Sequence, residues 1–416
     1  MSIQIPATST ATSAGPLAVQ KRQARDSRGR ITKVNSVIKA SQLGRRYHAP
    51  CVYTQSMPTV PNSLFSSGSK GTGRIEMGAF TTCAGPIVFK MTITRSAGGT
   101  MPPAWGFFER LTFRGSGGST HLCTLYPDTI GFMLNADYDK TQLESGILAL
   151  CGTSTGYQAS THASAGTVTY HLPICRSFLQ DMFCDEDGAQ DILVDFYPLS
   201  GGICHDGGAS VACTLDSMSV IFDSRHVTSQ DRASLIALNS HNIISAIWTE
   251  AERVTYNSKS LQPSQSCRLD LDNINGSVVA FLVYVCTAGA VGAARYQYVS
   301  LGKETLVDVR TSSGVSRYGS GTPSTLDYQT SKVFPEHFQS AYAQRNAVVF
   351  IPQCDDVRAA LHGVRSGGAR QYSGDRDHIM LTPAPDFGGG TYDVIVYALV
   401  HKQIHKRNNH FAVENA

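Results

Sequence analysis

A thiol, an imidazole and a carboxylate are adjacent in the chain at Cys204, His205 and Asp206. A cysteine beside a histidine could form a nucleophile and its base, because the imidazole can accept the thiol proton. These three residues lie between two Gly-Gly pairs. A catalytic pair needs rigid relative placement, whereas glycine gives a loop conformational freedom. The sequence therefore favours a flexible surface tip within the loop 201–212 over a catalytic pair.

Two acidic clusters could supply the hard oxygen ligands that Ca²⁺ prefers. Residues 185–187 are three consecutive acids directly before the strand-like segment AQDILVDF. Asp355 and Asp356 stand at the start of the helical segment DVRAALHG. A solvated turn explains the first cluster, and capping of a helix N-terminus explains the second. We therefore predict no metal site.

Other sequence features also argue against catalysis. The glycine-rich RGSGGS ends a strand pattern and leads into THLCTLY, which has no helical pattern, so we predict a turn rather than a phosphate loop. No HExxH, Walker-type or dinucleotide-binding motif occurs. The C-terminal HKQIHKRNNH has three histidines but no further ligand group at metal spacing, which favours a basic tail that contacts another subunit. The sequence predicts a protein that is not an enzyme and has no cofactor.

The N-terminal segment carries a strong positive charge. Residues 1–46 contain nine Lys or Arg residues and one acid, a net charge of +8, while the rest of the chain has 26 basic and 31 acidic residues. The basic residues are Lys21, Arg22, Arg25, Arg28, Arg30, Lys33, Lys39, Arg45 and Arg46. Charge segregated in this way indicates an anionic partner for this basic arm. The arm has no aromatic residue, so any contact with nucleic acid would be independent of base sequence.

Within the basic arm, Ile31, Val34, Val37 and Ile38 recur at helical spacing. This spacing favours a short amphipathic basic helix that orders on docking, with a solvated tail as the alternative. Three partners stay open for the arm. They are nucleic acid phosphates, an anionic membrane surface and a neighbouring copy of the protein.

Composition favours a protein built from many short strands. The chain has 416 residues, enough for two domains with appendages. Hydrophobic residues make up 42% and charged residues 16%, and there are 38 glycines. The charged share lies below the ~25% of an average globular protein. A surface of small polar side chains suits extensive protein–protein contact.

The cysteines indicate a reducing compartment. There are eleven of them, at irregular spacing and without a CxxC motif. Cys175 and Cys286 lie inside apolar strand patterns, where a free thiol packs as a small hydrophobic side chain. We therefore predict neither a disulfide framework nor a zinc site.

Alternation of apolar and polar residues predicts strands in both halves of the chain. The clearest case is PIVFKMTITR at 86–95. Further strands are predicted in WGFFERLTFRGSGG, TVTYHLPI, AQDILVDFYPL, CTLDSMSVIFDSR, ISAIWTEAERVTYN, SCRLDLDNI, SVVAFLVYVCTA, GKETLVDVRTSSG, AVVFIPQC, HIMLTPAP and TYDVIVYALVHK. SVVAFLVYV is apolar on both faces, which is typical of a covered central strand. SAGGTMPP at 96–103 predicts a turn.

Two segments have helical patterns. TLYPDTIGFMLNADY places Pro127 and Asp128 in a first turn, followed by apolar residues, and predicts a short helix lying across a sheet. TSQDRASLIALNSH at 228–241 starts with a pattern like a capping box and continues with an apolar stripe. This second helix separates two all-β blocks of similar size.

We therefore predict an all-β fold of two tandem jelly-roll β-sandwiches, with short linking helices and an N-terminal basic arm. The predicted domains are a partly disordered basic arm at 1–49, a first jelly roll at 50–227, a linker helix at 228–242 and a second jelly roll with a basic C-terminal tail at 243–416.

The order of these segments resembles the double-jelly-roll major capsid proteins of tailless icosahedral DNA viruses, the adenovirus-type lineage. The resemblance covers roughly residues 80–400 and is one of pattern and order rather than of a diagnostic motif. It rests on WGFFERLTFRGSGGS followed by LYPDTIGFML, and on QDILVDFYPLS, SVVAFLVYV, RYGSGTPSTLDYQTSKVFPEHF and VVFIPQCDDVRAALHG.

The resemblance implies a structural role in a virion. Such proteins form trimers in which six jelly rolls make a pseudo-hexagonal capsomer, and the capsomers tile an icosahedral shell. The implied partners are further copies of the chain, minor capsid and penton proteins, and the viral membrane or packaged genome through the basic arm. The implied location is the capsid, assembled in the host cytoplasm or nucleus.

Two alternative functions remain at this point. One is a single-jelly-roll capsid protein of a small RNA virus, with an RNA-binding arm and a smaller projecting second domain. The other is a carbohydrate-binding β-sandwich protein. Against the second, both tryptophans, Trp105 and Trp248, lie in apolar strand patterns rather than on a polar platform.

Overall fold

The computed structural model describes most of the chain outside the N-terminal arm. The described residues are 24–25, 31–32, 51–77, 81–115, 120–138, 140–142, 146–153, 159–174, 190–226, 244–272, 274–290, 292–296, 298–302, 304–316, 348–354, 360, 370–373, 376–407 and 410–415. Strands dominate these ranges.

The strands of residues 51–226 form what we call the first sandwich. They are preceded by the two-residue strands β1 (Ala24–Arg25) and β2 (Ile31–Thr32). The strands are β3 (Cys51–Ser56), β4 (Gly71–Met77), β5 (Thr81–Arg95), β6 (Gly99–Met101), β7 (Phe108–Arg114), β8 (His121–Leu125), β9 (Ser160–His162), β10 (Gly166–Ile174), β11 (Gln190–Pro198), β12 (His205–Asp206), β13 (Ala209–Ser210) and β14 (Cys213–His226).

Eight strands of the first sandwich form two four-stranded antiparallel sheets. One sheet has the order β10-β5-β14-β3 and the other β4-β11-β7-β8. Apart from β7 and β8, which pair within one sheet, successive strands of these eight alternate between the two sheets, and the last strand, β14, lies between β5 and β3. This is the winding of a jelly roll. A small third sheet, β13-β12-β6-β9, lies beside them.

The strands of residues 244–415 form the second sandwich. They are β15 (Ile244–Leu261), β16 (Cys267–Asp270), β17 (Asn275–Thr287), β18 (Leu306–Arg310), β19 (Val348–Pro352), β20 (Arg370–Ser373), β21 (His378–Thr382), β22 (Gly390–Arg407) and β23 (His410–Asn415).

The second sandwich repeats the strand order of the first. Its larger sheet runs β15-β22-β17-β19, with β20 beside β17 and β23 beside β22. Its smaller sheet runs β16-β21-β18. When the strands of the two sandwiches are matched by their sequence along the chain, these sheets correspond to the sheet orders β3-β14-β5-β10 and β4-β11-β7 of the first sandwich. A counterpart of β8 would fall between β18 and β19, where residues 317–347 lie outside the described ranges.

The core of the first sandwich is filled by aromatic side chains from both sheets. Phe89 of β5 packs against Phe196 of β11, with ring centroids 5.3 Å apart, and against Phe113 of β7 at 6.5 Å. All three side chains are fully buried. Their positions follow the two-residue period of the strands, so the predicted strand at 86–95 is confirmed.

The larger sheet of the second sandwich is buried on both faces. On β17, Phe281, Val283 and Val285 face the core between the two sheets. Leu282 and Tyr284 belong to a separate buried cluster on the opposite face. The expectation that SVVAFLVYV is a covered central strand is therefore confirmed.

The helical segments are short. They are α1 (Leu64–Ser67), α2 (Pro127–Asp137), α3 (Lys140–Gln142) and α4 (Leu148–Leu150), with 3-10 turns at Ala104–Phe107 and Gly292–Tyr296. Helix α2 begins at Pro127, as the sequence predicts, because proline tolerates the first helical position. Within the described ranges, no helix combines the length and apolarity that crossing a membrane requires.

Two predictions in the first sandwich need correction. Gly99–Met101, predicted within a turn, forms β6 and pairs with β9 and β12 through its backbone. Trp105 lies in the 3-10 turn Ala104–Phe107 rather than in a strand. Pro102 and Pro103 precede this turn, and prolines cannot donate to a strand ladder.

Two predictions at the chain ends also need correction. Ile31 was expected in a helix, but Ile31–Thr32 is extended and pairs with Ala24–Arg25, consistent with the β preference of two β-branched residues. The C-terminal segment HKQIHKRNNH, predicted as a basic tail, is largely strand. Strand β22 continues to Arg407 and pairs with β15 on one side and with β23 on the other, while contact with another subunit stays a prediction.

The predicted domain boundaries stay predictions. The linker helix at 228–242 and the rest of the basic arm lie outside the described residues. In the structure, the strands of each described sheet lie either all before residue 227 or all after residue 243.

Candidate functional site

The candidate nucleophile Cys204 lies in a packed hairpin rather than in a flexible tip. Strand β12 pairs with β13 and with β6. Cys204 is fully buried, and burial raises the pKa of its thiol. The Nε2 atom of His205 lies 3.1 Å from the carbonyl oxygen of Gly202. A buried protonated thiol is a poor nucleophile, so the arrangement does not suit catalysis.

A serine motif elsewhere also lacks its structural context. GTSTG at residues 152–156 has the GxSxG spacing of the α/β-hydrolase nucleophile elbow, which needs a strand before the serine and a helix after it. Here helix α4 ends at Leu150, directly before this segment. Ser154 itself lies outside the described residues.

The remaining sequence candidates lie outside the described side chains. They are residues 185–187, Asp355, Asp356 and the nine basic residues of the arm, among which only the backbone of Arg25 is described. Within the described ranges, no group of three or more potential ligand side chains is placed to hold a metal. The described feature with the most distinctive chemistry is instead the contact between the two sandwiches, which we call the junction.

Helix α2 carries the apolar part of the junction. It belongs to the first sandwich, yet Phe132 packs in a cluster whose other buried members come from the second. The Phe132 ring stacks on Phe350 of β19, with centroids 5.7 Å apart and planes inclined by 20°. Just before the helix, Tyr126 packs against Tyr397 of β22 at 5.3 Å. The helix therefore covers the outer face of the larger sheet in the second sandwich.

Asp128 is the centre of a buried polar network in the junction. The hydroxyl of Tyr397 donates to its Oδ2 at 2.6 Å, and the hydroxyl of Tyr298 donates to its Oδ1. The Arg295 guanidinium lies 3.4 Å from Oδ2. The hydroxyl of Tyr284 donates to the Asp128 backbone carbonyl at 2.9 Å. All four partners belong to the second sandwich, so the carboxylate and the backbone carbonyl of one residue of the first together accept from three segments of the second.

The electrostatics of this network favour the ion pair. Burial lowers the pKa of Arg295, but Asp128 together with Tyr298, Tyr296 and Cys286 more than offsets it, so the net shift is upward. Burial and Asp128 both raise the pKa of Tyr397, which keeps its hydroxyl protonated as a donor. Asp128 also stands in the first turn of α2, where the helix dipole favours a negative charge.

Close backbone approach completes this side of the junction. The hydroxyl of Tyr296 donates to the backbone carbonyl of Phe108 at 3.3 Å. A Cβ atom on Gly106 would lie 2.8 Å from the Tyr296 ring. Glycine is required there because a larger residue would push the two sandwiches apart.

A second buried carboxylate joins β8 to β15. The backbone N–H of Thr124 donates to Oε1 of Glu250 at 2.8 Å. Burial raises the pKa of Glu250 to about 7, with a smaller upward contribution from Glu252, while the Thr124 hydrogen bond and Lys402 act in the opposite direction. Near Glu250, Lys402 forms an ion pair with Glu252. This carboxyl therefore titrates near neutral pH inside the junction.

The comparisons with known proteins identify the fold. No family model and no curated protein matches the sequence. Among solved structures, PBCV-1 VP54, fitted into a reconstruction of the virophage Sputnik, aligns with a TM-score of 0.60 at 14% identity over 89% of this chain and 98% of that chain. The chain has the double-jelly-roll fold.

Two further structures extend this likeness along the chain. The Sputnik virophage structure aligns with a TM-score of 0.60 at 10% identity, covering 99% of this chain and 94% of that chain. The mavirus major capsid protein aligns at 0.50 and 11% identity, covering 99% and 97%. A single jelly roll with a smaller projecting domain is not supported, because the second sandwich repeats the winding of the first.

Sequence patterns pointed to α2 but not to its role. Asp128 was interpreted only as a first-turn acid, and Arg295, Tyr397 and Glu250 were not singled out. Tyr397 is 269 positions from Asp128 in the chain. The one available signal in the sequence was an acid between a helix start and a run of apolar residues. A local pattern cannot show that this acid pairs with a distant arginine.

Replacing Asp128 with asparagine should destabilise the protein strongly. Asp128→Asn removes the charge that compensates buried Arg295, and breaking a buried ion pair from one side costs about 3–5 kcal/mol. Urea unfolding at constant pH would measure the change. Asp272→Asn, at an exposed carboxylate, serves as control and should shift stability by less than about 0.5 kcal/mol.

A double-mutant cycle separates the ion pair from general disruption. Arg295→Met in the Asp128→Asn background removes the stranded charge, so the double variant should lose less stability than the two single variants combined. Additive losses would show that Asp128 and Arg295 do not act as a pair.

The Glu250 carboxyl should make stability depend on pH. Its folded pKa lies above the unfolded value of about 4.3. Its contribution is therefore fully present below about pH 4 and is lost as pH rises through about 7, by roughly 4 kcal/mol. Glu250→Gln keeps the acceptor for Thr124 without the charge, so the variant should be more stable than wild type at pH 8 and similar at pH 5. Unfolding curves at both pH values test this, with exposed Glu304→Gln as control; equal pH dependence of wild type and Glu250→Gln would contradict it.

Proposed function

We propose that this protein is a viral major capsid protein that self-assembles as pseudo-hexameric trimers into an icosahedral shell. The observation that carries the proposal is the likeness of nearly the whole chain to structures described as those of a virophage and of a mavirus major capsid protein. The sequence resemblance given above points in the same direction.

The junction gives a physical reason why this architecture suits a shell. Two sandwiches fixed side by side present one rigid edge, so three copies offer six upright sandwiches around an axis. Contacts between copies can each be weak, because many of them act together in a closed lattice. If the junction were flexible, the free energy of binding between copies would be reduced by the cost of ordering the two sandwiches.

An exposed apolar sheet edge supports contact between copies. Strand β3 forms the edge of its sheet, and Val52 and Tyr53 on it are 73% and 45% exposed. Open sheet edges with apolar side chains favour association with another chain. Val315, in the second sandwich, is 63% exposed.

The basic arm supplies the contact to an anionic partner in this proposal. Its net charge of +8 suits genome phosphates or lipid headgroups, and a neighbouring capsomer is the third partner. Lys21, Arg22, Arg25, Arg28, Arg30, Lys33, Lys39, Arg45 and Arg46 would make these contacts. Minor capsid and penton proteins would complete the shell, in a virion assembled in the host cytoplasm or nucleus.

The purified full chain should form a trimer or a larger assembly. Its mass by sedimentation equilibrium at several concentrations should be three times the chain mass or more, because self-association is the proposed activity. Negative-stain images should show hexagonal capsomers. The same chain starting at residue 47 is the matched variant and should still form trimers, since the sandwiches carry the contacts. A stable monomer at high concentration would overturn the proposal.

Neutralising the arm should abolish binding to polyanions. With the nine basic residues changed to glutamine, binding to double-stranded DNA and to anionic vesicles should be lost while the trimer persists. For the wild-type chain, affinity should fall steeply with salt, by a log–log slope of about −0.9 for each phosphate neutralised. Fluorescence anisotropy and vesicle flotation measure both effects. Equal binding by the neutralised variant would rule out an electrostatic role for the arm.

A further inference from the structure

One broad face of the first sandwich is made largely of hydroxyl side chains. In the sheet β10-β5-β14-β3, alternate residues such as Phe89 and Val220 are buried in the core, so the residues between them point away from it. We call these outward residues the threonine face. Along most of the four strands they are half-buried or exposed. The centre of the face consists of Lys90, Thr92, Thr94, Thr167, Thr169 and Asp216.

The hydroxyls of the threonine face are already paired with one another. The Oγ1 atoms of Thr92 and Thr169 lie 3.3 Å apart. Thr94 Oγ1 lies 2.6 Å from Oγ1 of Thr167 and donates to Oδ2 of Asp216, also at 2.6 Å. A polar group that loses water without a partner costs free energy, whereas a paired one does not carry that penalty. Short side chains also lose little rotamer freedom, so this face can be covered at low cost.

The opposite outer face of the same sandwich has a different character. On the sheet β4-β11-β7-β8, the outward side is lined by Lys70, Arg74, Arg110 and Arg114. Long charged side chains are typical of surfaces that stay in water. Among the described side chains of the threonine face, Lys90 is the only lysine or arginine. The contrast favours the threonine face as the one that another surface covers.

The threonine face is the counterpart of the face that the junction covers. Strands β5 and β17 occupy the same place in the two sandwiches, and Phe89 and Phe281 both point into a core. The next residue on each strand points outward. On β17 this residue is Leu282, which is buried in the same cluster as Phe132 of helix α2. On β5 it is Lys90, which is exposed in the single chain.

The sequence repeats the start of helix α2 in the second sandwich. Helix α2 follows the residues Tyr126, Pro127 and Asp128 in the interval between β8 and β10. Between β18 and β19, the chain has an aromatic residue, a proline and an acid in the same order, at 334–336. Residues 334–336 lie outside the described ranges, so this likeness is one of sequence. A junction repeated in the same sense would join this segment to the first sandwich of another copy, and such head-to-tail contacts can close into a ring.

We propose that the threonine face is an interface that receives the second sandwich of a second copy, with Glu336 of that copy against Lys90. The inference rests on the proposed assembly and names the surface that carries it. Four strands about 4.8 Å apart, with the nine residues of β10 setting the length, present a flat area on the order of 600 Å². One partner buries about 800 Å² in an interface of standard size. The opposite charges of Lys90 and Glu336 would fix the register of the contact.

Acetylation of lysines in the assembled full chain tests whether the face is covered. Lys90 and Lys70 are both exposed in the single chain, and Lys70 lies on the opposite side of the sandwich. In the assembly, Lys90 should react at least about tenfold more slowly than in chain dissociated by dilution, because a covered interface excludes the reagent. Lys70 is the internal control and should react at a similar rate in both samples.

A lysine placed on the face should block assembly without unfolding the chain. Thr169 is exposed in the single chain, so Thr169→Lys should leave the midpoint of urea unfolding unchanged. An unpaired charge in the contact should raise the dissociation constant of the assembly by at least about tenfold. Ser266→Lys, at an exposed hydroxyl of the second sandwich outside the threonine face, serves as control and should assemble like wild type.

Cross-linking identifies the occupant of the face. An equal mixture of unlabelled and ¹⁵N-labelled chains, assembled and treated with a carbodiimide, should give mixed-isotope peptides that join Lys90 to Glu336. Mixed peptides that join Lys90 to a first sandwich instead would overturn the proposal. An assembly in which Lys90 reacts as fast as in the dissociated chain, or normal assembly of Thr169→Lys, would overturn it as well and leave the capsid role intact. A chain that stays monomeric would overturn both.

Discussion

The structure depends on covering a sheet that is apolar on both faces. Alternate residues of β17 and β22 fill the core of the second sandwich, and the residues between them, such as Tyr284 and Leu399, are equally buried on the other side. That outer face cannot remain in water without exposing a large apolar patch. Helix α2 of the first sandwich covers this face, so the second sandwich depends on the first to bury it.

Polar groups then give this hydrophobic contact a single geometry. An apolar face alone would tolerate sliding, but Asp128 needs Tyr397, Tyr298 and Arg295 at once. A shifted docking would leave a carboxylate and a guanidinium buried without partners, at a cost of about 3–5 kcal/mol for the broken pair. Glu250 with Thr124 adds a second fixed point on β8. The orientation of the sandwiches is therefore set by polar contacts and their closeness by apolar ones.

The sequence predicted the parts whose pattern is local. Two-residue alternation located the long strands, and the doubly apolar SVVAFLVYV correctly indicated a covered central strand. The proline start located α2. Strands β6, β12 and β13 were not predicted because they are only two or three residues long and stand next to glycines, so only their partners make them strands. The junction escaped for a related reason, since Asp128 and Arg295 are 167 residues apart and no local pattern pairs them.

The locked junction fits the proposed function, in which the chain acts through contacts with other copies. Once α2 is buried, the strands of both sandwiches stand in one rigid frame, and the surfaces left to vary are sheet edges, hairpins and loops. A rigid frame loses little entropy when its edges meet another copy, so even modest contacts yield a net gain. Flexibility between sandwiches would reverse this balance, because each lattice contact would first have to order the chain. If the chain assembles as proposed, the buried charges of the junction matter to assembly because they keep the two sandwiches in one frame.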